Sequence, residues 1–320
     1  MEYFRFGSFE VSRICLGTWI WAGIDAAESL RAIHRAFDLG INFVDTAPLY
    51  GKGLAEEILG KALAEHGNRD KIFVATKVGI EWTQSTSFRN SSVARIRQEL
   101  DDSLRRLGTD YIDLYQVHWP DPRIPIEETA GELLRIQQAG KVRALGVSNF
   151  SIEQMDRFRA IAPLVSIQPP YNIFERQNEK NVLPYAKQHG LVILAYGAIC
   201  RGLLSGKMTP STKLSAGDYR QGDPKFQPPR FSQYLAAAHA LDQFAREKHG
   251  KPVLALAVRW LLDQGAVPIW GARVPSQLDN VNEAFGWKLT PADMKAIDAI
   301  VAENVSDPVG PEFMAQPPRP

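Results

Sequence analysis

Several protein classes are excluded by what this chain lacks. Cys15 and Cys200 are its only cysteines, too few for a disulfide framework or a cysteine metal site. No apolar run approaches the roughly 20 residues that a membrane-spanning helix needs. The opening segment MEYFRFGSFEVSR lacks the basic-then-apolar pattern of a signal peptide. An excess of charge of one sign is missing too. The 37 Lys and Arg residues stand against 36 Asp and Glu, a formal charge of +1, which gives no electrostatic case for nucleic acid or an anionic membrane as partner. No G-x-G-x-x-G fingerprint of a Rossmann dinucleotide site is present. These absences leave a small-molecule protein with no metal, whose default home is the reducing cytoplasm.

What the chain does have is 45% hydrophobic residues, much of it in short runs of strand length. Eight such runs are ICLGTW at 14–19, INFVDT at 41–46, KIFVATK at 71–77, YIDLYQV at 111–117, VRALGVS at 142–148, VSIQPPY at 165–171, LVILAY at 191–196 and AVPIWG at 266–271. Amphipathic segments of helical period fill the gaps, and five of them close on a glycine: Gly40, Gly67, Gly108, Gly140 and Gly190. Strand–helix alternation repeated eight times predicts a parallel (β/α)8 barrel. With no internal linker visible, one domain is expected over residues 1–320. Three segments lie outside the bare repeat. Residues 205–231 form a long loop after the seventh strand, rich in Gly, Pro and charge. TPADMKAIDAIVAEN predicts an extra C-terminal helix capped by Thr290 with Pro291 at its first position. The Pro-rich PVGPEFMAQPPRP is expected to be extended or disordered.

Asp45, Lys77 and His118 each stand at the C-terminal end of a predicted strand, and Tyr50 follows Asp45 closely. That is the rim where a parallel barrel gathers its reactive groups. Each has a bland reading alone: Asp45 as a turn residue, Lys77 as a solvated charge, His118 as a structural histidine, Tyr50 as packing. Together they make a proton-transfer site. A phenol with an ordinary pKa of about 10 must be lowered to act as a general acid at neutral pH, and the Lys77 ammonium is the expected cause. Asp45 suits Lys77 as a partner. His118 can hydrogen-bond a substrate oxygen, and donors aimed at one oxygen suit a carbonyl becoming an alkoxide.

The ordered segments GINFVDTAPLYGKGLAEEILGKAL, KVRALGVSNFS, SIQPPYNIFER, LAYGAICRGLLSGK and PIWGARVPSQL resemble five motifs of the aldo-keto reductases. The likeness runs from about residue 9 to residue 300. It is closest in style to the bacterial general-stress and glyoxal reductases and glycerol dehydrogenases, and shares motif style with β-subunits of voltage-gated potassium channels. The resemblance implies NADP(H) bound extended across the barrel mouth, with direct hydride transfer to a carbonyl carbon. Tyr50 would be the acid in reduction and the base in oxidation, with Asp45, Lys77 and His118 completing a tetrad. It further implies that Ser148, Asn149 and Gln168 hold the nicotinamide carboxamide and that Tyr196 stacks on the ring, with Thr18 and Trp19 also at the cofactor. Gly197, Ala198, Arg201, Gly202, Leu203, Ser205 and Lys207 would meet the diphosphate. Gly271, Arg273 and Gln277 would meet the adenosine phosphate, Arg273 on the 2′-phosphate. The family's adenine-side Asn is replaced by Val281, so Asn280 or Asn282 would substitute. A Gly197-Ala198 pair stands where Ser-Pro is common. A single clear cation, Arg273, leaves NAD(H) open as cofactor.

Trp21, Trp82 and Trp119, with Trp19, follow predicted strands and are expected to wall a carbonyl pocket. Met208, Tyr219 and Phe226 of the long loop are expected to cover it. The first reading is an aldehyde or ketone reductase. Its rivals are a sugar or polyol dehydrogenase working oxidatively, a cofactor-sensing regulatory subunit, and an unrelated Schiff-base aldolase using Lys77.

Overall fold

The computed structural model describes residues 1–19 and 25–319. The chain opens with an antiparallel hairpin, β1 (Tyr3–Phe6) and β2 (Phe9–Ser12). Three parallel strands follow, β3 (Cys15–Gly17), β4 (Phe43–Asp45) and β5 (Phe73–Val78). A second hairpin, β6 (Ile80–Trp82) with β7 (Ser87–Arg89), interrupts the repeat. Then come β8 (Ile112–Val117), β9 (Val142–Ser148), β10 (Ser166–Gln168), β11 (Val192–Ala195) and β12 (Ala266–Gly271). Strands β3, β4, β5, β8, β9, β10, β11 and β12 form one closed barrel, sealed where β12 pairs with β3.

The helices between them are α1 (Ala26–Asp38), α2 (Leu54–His66), α3 (Val93–Leu107), α4 (Ile126–Gln138), α5 (Ile152–Arg159) and α6 (Val182–Gln188). Both α7 (Arg230–His249) and α8 (Val253–Asp263) lie between β11 and β12. All five glycines expected to close helices have positive φ, from 63° at Gly108 to 83° at Gly40. The extra helix α9 (Pro291–Asn304) starts with the expected cap: the Asp293 N–H donates to Thr290 Oγ1 at 3.1 Å, and the Asp293 carboxylate accepts from the Thr290 N–H at 2.8 Å.

Side-chain parity explains what the barrel presents. Alternate residues of a strand point to opposite faces. Along β5, Val74 and Val78 pack outward against the helices, while Phe73 and Ala75 point into the barrel. The same parity carries Lys77 inward. On β4, Phe43 lies inside and Val44 outside, so Asp45 is inward; on β8, Leu114 is inside and Tyr115 outside, so Gln116 is inward. The barrel interior is thus apolar at its base and polar at its C-terminal end. The base is plugged by the first hairpin, where Phe6 stacks on Phe73 with centroids 5.0 Å apart and Phe43 meets Phe73 edge-on at 5.0 Å. Each such buried side chain contributes on the order of 1.5–3 kcal/mol by leaving water.

Several segments differ from the expectations. The sixth barrel strand stops at Gln168 rather than continuing to 171, because Pro169 and Pro170 have no N–H to give the ladder. The first barrel strand shrinks to Cys15–Gly17. Neither hairpin was anticipated. The Pro-rich tail is not loose: it makes a short turn at Glu312–Met314 and then lies along β7. There the Arg89 N–H donates to the Pro317 carbonyl at 2.9 Å, Arg89 Nε to the Gln316 carbonyl at 2.6 Å, and Ser87 Oγ to Gln316 Oε1 at 2.6 Å.

Candidate active site

Four expected residues meet at the C-terminal end of the barrel. Lys77 Nζ lies 2.5 Å from Asp45 Oδ1, donates to the Thr46 carbonyl at 3.0 Å, and lies 3.1 Å from Tyr50 Oη. The His118 ring stands edge-on to Tyr50, centroids 5.8 Å apart. Tyr50 reaches this place from a tight turn after β4, in which Gly51, Lys52 and Gly53 all have positive φ (62°, 55° and 101°). Lys52 pays a backbone strain there that the two glycines avoid, and its ammonium donates to the Gln84 carbonyl at 2.9 Å.

Burial governs the proton affinities. It pushes the Tyr50 phenol up, Lys77 pulls it down, and the phenol ends above its ordinary value of 10.0. The lowering expected from Lys77 is therefore present but outweighed. For Lys77 itself burial lowers the ammonium, but Asp45 and Tyr50 more than offset this, so it stays charged above its ordinary value. Burial, helped by Lys77, holds His118 well below its ordinary value, so its imidazole is neutral at pH 7.

A second polar layer adjoins the first. Asp45 Oδ2 accepts from Gln168 Nε2 at 2.9 Å and from Gln116 Nε2 at 3.1 Å. Ser148 Oγ donates to the Gln168 carbonyl at 2.8 Å, Asn149 Nδ2 to the His118 carbonyl at 3.1 Å, and Tyr196 Oη to Asn149 Oδ1 at 2.9 Å. Asn149 takes a left-handed backbone (φ 60°) to make these bonds. Gln116 escaped the sequence reading. Its signal was parity: a glutamine inside an apolar strand, two residues before His118 and so on the face opposite the outward Val117 and Tyr115.

A groove of about 870 Å³ runs from Tyr50, His118 and Trp119 past Thr18, Trp19, Ser148, Asn149, Gln168 and Tyr196. It continues along Gly197, Ala198, Arg201, Gly202, Ser205 and Lys207 to Gly271, Arg273, Gln277 and Asn280. Trp19 meets Tyr219 across it with tilted rings, centroids 4.4 Å apart, and Met208, Phe313, Met314 and Gln316 also line its wall.

Some expected residues stand elsewhere. Trp82 lies in β6 with the Arg95 guanidinium 5.1 Å from its ring centroid and is not among the described lining residues, because the unforeseen hairpin carries it aside. Leu203 is buried beneath its loop and Phe226 packs on Phe231, so neither side chain lines the groove. Trp21 falls outside the described residues. Arg201 is already matched: its guanidinium pairs with Glu175 and, at 2.6 Å, with Asp223, while Lys225 Nζ joins Glu175 at 2.8 Å and donates to the Gly310 carbonyl at 2.9 Å. This buried cluster fastens the long loop and the tail to the rim. Arg273, by contrast, is exposed and makes no ion pair among the described residues.

The barrel thus carries a buried polar cluster at the C-terminal ends of its strands, where parallel barrels hold their active sites. The chain belongs to the aldo/keto reductase family, whose sequence profile matches residues 13–302. It is 54% identical to Aldo-keto reductase YhdN of Bacillus subtilis, over all of this chain and 99% of that protein. It is 32% identical to Aldo-keto reductase yakc [NADP(+)] of Schizosaccharomyces pombe, over 88% of this chain and 85% of that protein. Among solved structures, glycerol dehydrogenase AKR11B4 from Gluconobacter oxydans superposes with a TM-score of 0.90 at 52% identity, covering 98% of this chain and 99% of that one. The holo form of AKR11C1 from Bacillus halodurans gives 0.77 at 30% identity, covering 94% and 96%. Among the described residues no helix is long and apolar enough to cross a membrane.

Proposed function

We propose that this oxidoreductase reduces aldehydes and ketones to alcohols with NADP(H), and that its residues act as one domain in the cytoplasm. The observation that carries the catalytic part is the buried chain Asp45–Lys77–Tyr50 beside a neutral His118. The Tyr50 phenol, kept protonated by burial, gives its proton to the carbonyl oxygen. The Lys77 ammonium stabilises the phenolate left behind, and Asp45 holds that ammonium in place. A neutral His118 has one N–H to donate to the same oxygen.

The groove fits an extended dinucleotide in its chemistry: amide and hydroxyl groups at one end, an exposed guanidinium at the other. Bound NADPH supplies the hydride. Ser148, Asn149 and Gln168 would hold its carboxamide and Tyr196 would stack on its ring. Gly197, Ala198, Arg201, Gly202, Leu203, Ser205 and Lys207 serve the diphosphate, Arg201 through the shape its ion pairs give the loop and Leu203 through its backbone. Gly271, Arg273, Gln277 and Asn280 serve the adenosine phosphate, where a planar guanidinium suits a 2′-phosphate. The substrate meets Trp119 and the tail residues; Trp21 and Trp82 have no such support. The NADP(+) in the name of the yeast relative supports this cofactor.

Oxidation of a polyol is the second reading, favoured by the glycerol dehydrogenase at 52% identity. Quenching of tryptophan fluorescence by NADPH and NADH, followed by assays of aldehyde reduction and glycerol oxidation, decides. Tight NADPH binding with faster reduction supports the first reading. Faster glycerol oxidation supports the second, and binding of neither nucleotide removes both.

A further inference from the structure

We propose that Gln116 is a positioning residue that ties the proton-delivery side of the site to the carboxamide side. Gln116 is fully buried on β8, beside Lys77 in register, and does not line the groove. Its amide has two jobs. Its Nε2 donates to Asp45 Oδ2 at 3.1 Å, and its Oε1 accepts from Gln168 Nε2 at 3.3 Å. Gln168 Nε2 also donates to Asp45 Oδ2 at 2.9 Å. A primary amide has two N–H groups. Both of those on Gln168 are thereby committed below the groove, one to a carboxylate that can only accept and one to Gln116.

The consequence is directional. With its nitrogen held from beneath, Gln168 can present only its Oε1 acceptor to the groove it lines. An acceptor is what the NH2 of a carboxamide requires. Without Gln116 one N–H of Gln168 loses its partner, and the amide is held from beneath by Asp45 alone. The same change strips Asp45 Oδ2 of one of its two amide donors, while Oδ1 keeps Lys77. Space for this residue is made by the neighbouring strand: a Cβ at Gly146 would stand 2.9 Å from Gln116 Cγ and 2.4 Å from Ser166 Oγ. Glycine at 146 and glutamine at 116 are therefore one design.

The inference rests on the proposed roles of Gln168 and the cofactor, and the test separates the two. Dissociation constants for NADPH and for 2′,5′-ADP, which has no nicotinamide, are measured on the full chain as Gln116→Leu, Gln168→Leu and the double variant. The expected result is that Gln116→Leu weakens NADPH by about five- to tenfold, the equivalent of one lost hydrogen bond, and leaves 2′,5′-ADP unchanged. In the Gln168→Leu background the Gln116 change should then have no further effect on NADPH. Should Gln116→Leu not fold, Gln116→Asn, whose shorter amide cannot span both partners, should give the same pattern. Equal weakening of NADPH and 2′,5′-ADP, unchanged NADPH binding, or additive effects in the double variant would each overturn the proposal. A wild-type chain that binds no NADPH would overturn the cofactor reading along with it.

Discussion

Trp19 and Tyr219 face each other across the groove, their ring centroids 4.4 Å apart and their planes tilted by 58°. One follows β3 and the other belongs to the loop between β11 and α7, so the pair bridges opposite banks of the cavity both residues line. An aromatic pair contributes about 0.5–1.5 kcal/mol beyond its buried area. Tyr219→Ala should therefore speed NADPH dissociation by roughly two- to tenfold, with the chemical step unchanged. Stopped-flow release and single-turnover rates read the two separately, and an unchanged release rate would deny the pair any gating role.

Tyr50→Phe should lower turnover by about 10²- to 10⁴-fold while NADPH affinity holds, because only the acid is removed. Retained turnover would refute the role of Tyr50.

Lys77→Met should do more than that. It should abolish turnover and leave the buried Asp45 carboxylate without its cation, at a stability cost of about 3–5 kcal/mol. Denaturant unfolding checks this: Tyr50→Phe should keep its midpoint and Lys77→Met should not.

The pH dependence has a definite sign. The folded His118 is held well below its ordinary 6.5, mainly by burial and next by Lys77. Below 6.5 the unfolded chain takes up a proton that the folded chain refuses. The contribution of His118 to stability is thus fully present above 6.5 and is lost as the pH falls toward the folded value. Replacing His118 by Gln should flatten that part of the melting-temperature profile. On the proposed role of Tyr50 as acid, reduction should hold through neutral pH and decline only above 10.0.

Arg273→Ala should raise KM for NADPH by about 10- to 100-fold and leave KM for NADH nearly unchanged, as for one lost charged hydrogen-bonding group. Equal effects on the two would mean that Arg273 does not read a 2′-phosphate.

The barrel and the positions of Asp45, Lys77 and His118 were legible because apolar runs alternate with helical periods and parity then aims every second side chain. Other features were not. The first hairpin is two four-residue strands around Gly7-Ser8, a signal too short to stand out beside the longer runs. Trp82 was expected at the mouth by its place after a strand, but the β6–β7 hairpin decides where its ring lies. Composition gave the extended course of the tail but not what holds it: proline cannot donate a hydrogen bond, yet the carbonyls of Gln316 and Pro317 accept from Arg89. The Tyr50 phenol was expected to be lowered because the cation is visible in a sequence and burial is not.

The tail along β7 divides the molecule's duties. Phe313, Met314 and Gln316 shape the groove, yet none of them belongs to either packed core. Substitutions there change what the pocket admits without disturbing the barrel or the Asp45–Lys77–Tyr50 chain. Residues 313–316 are therefore the place where the pocket can be reshaped while folding and chemistry stay fixed elsewhere.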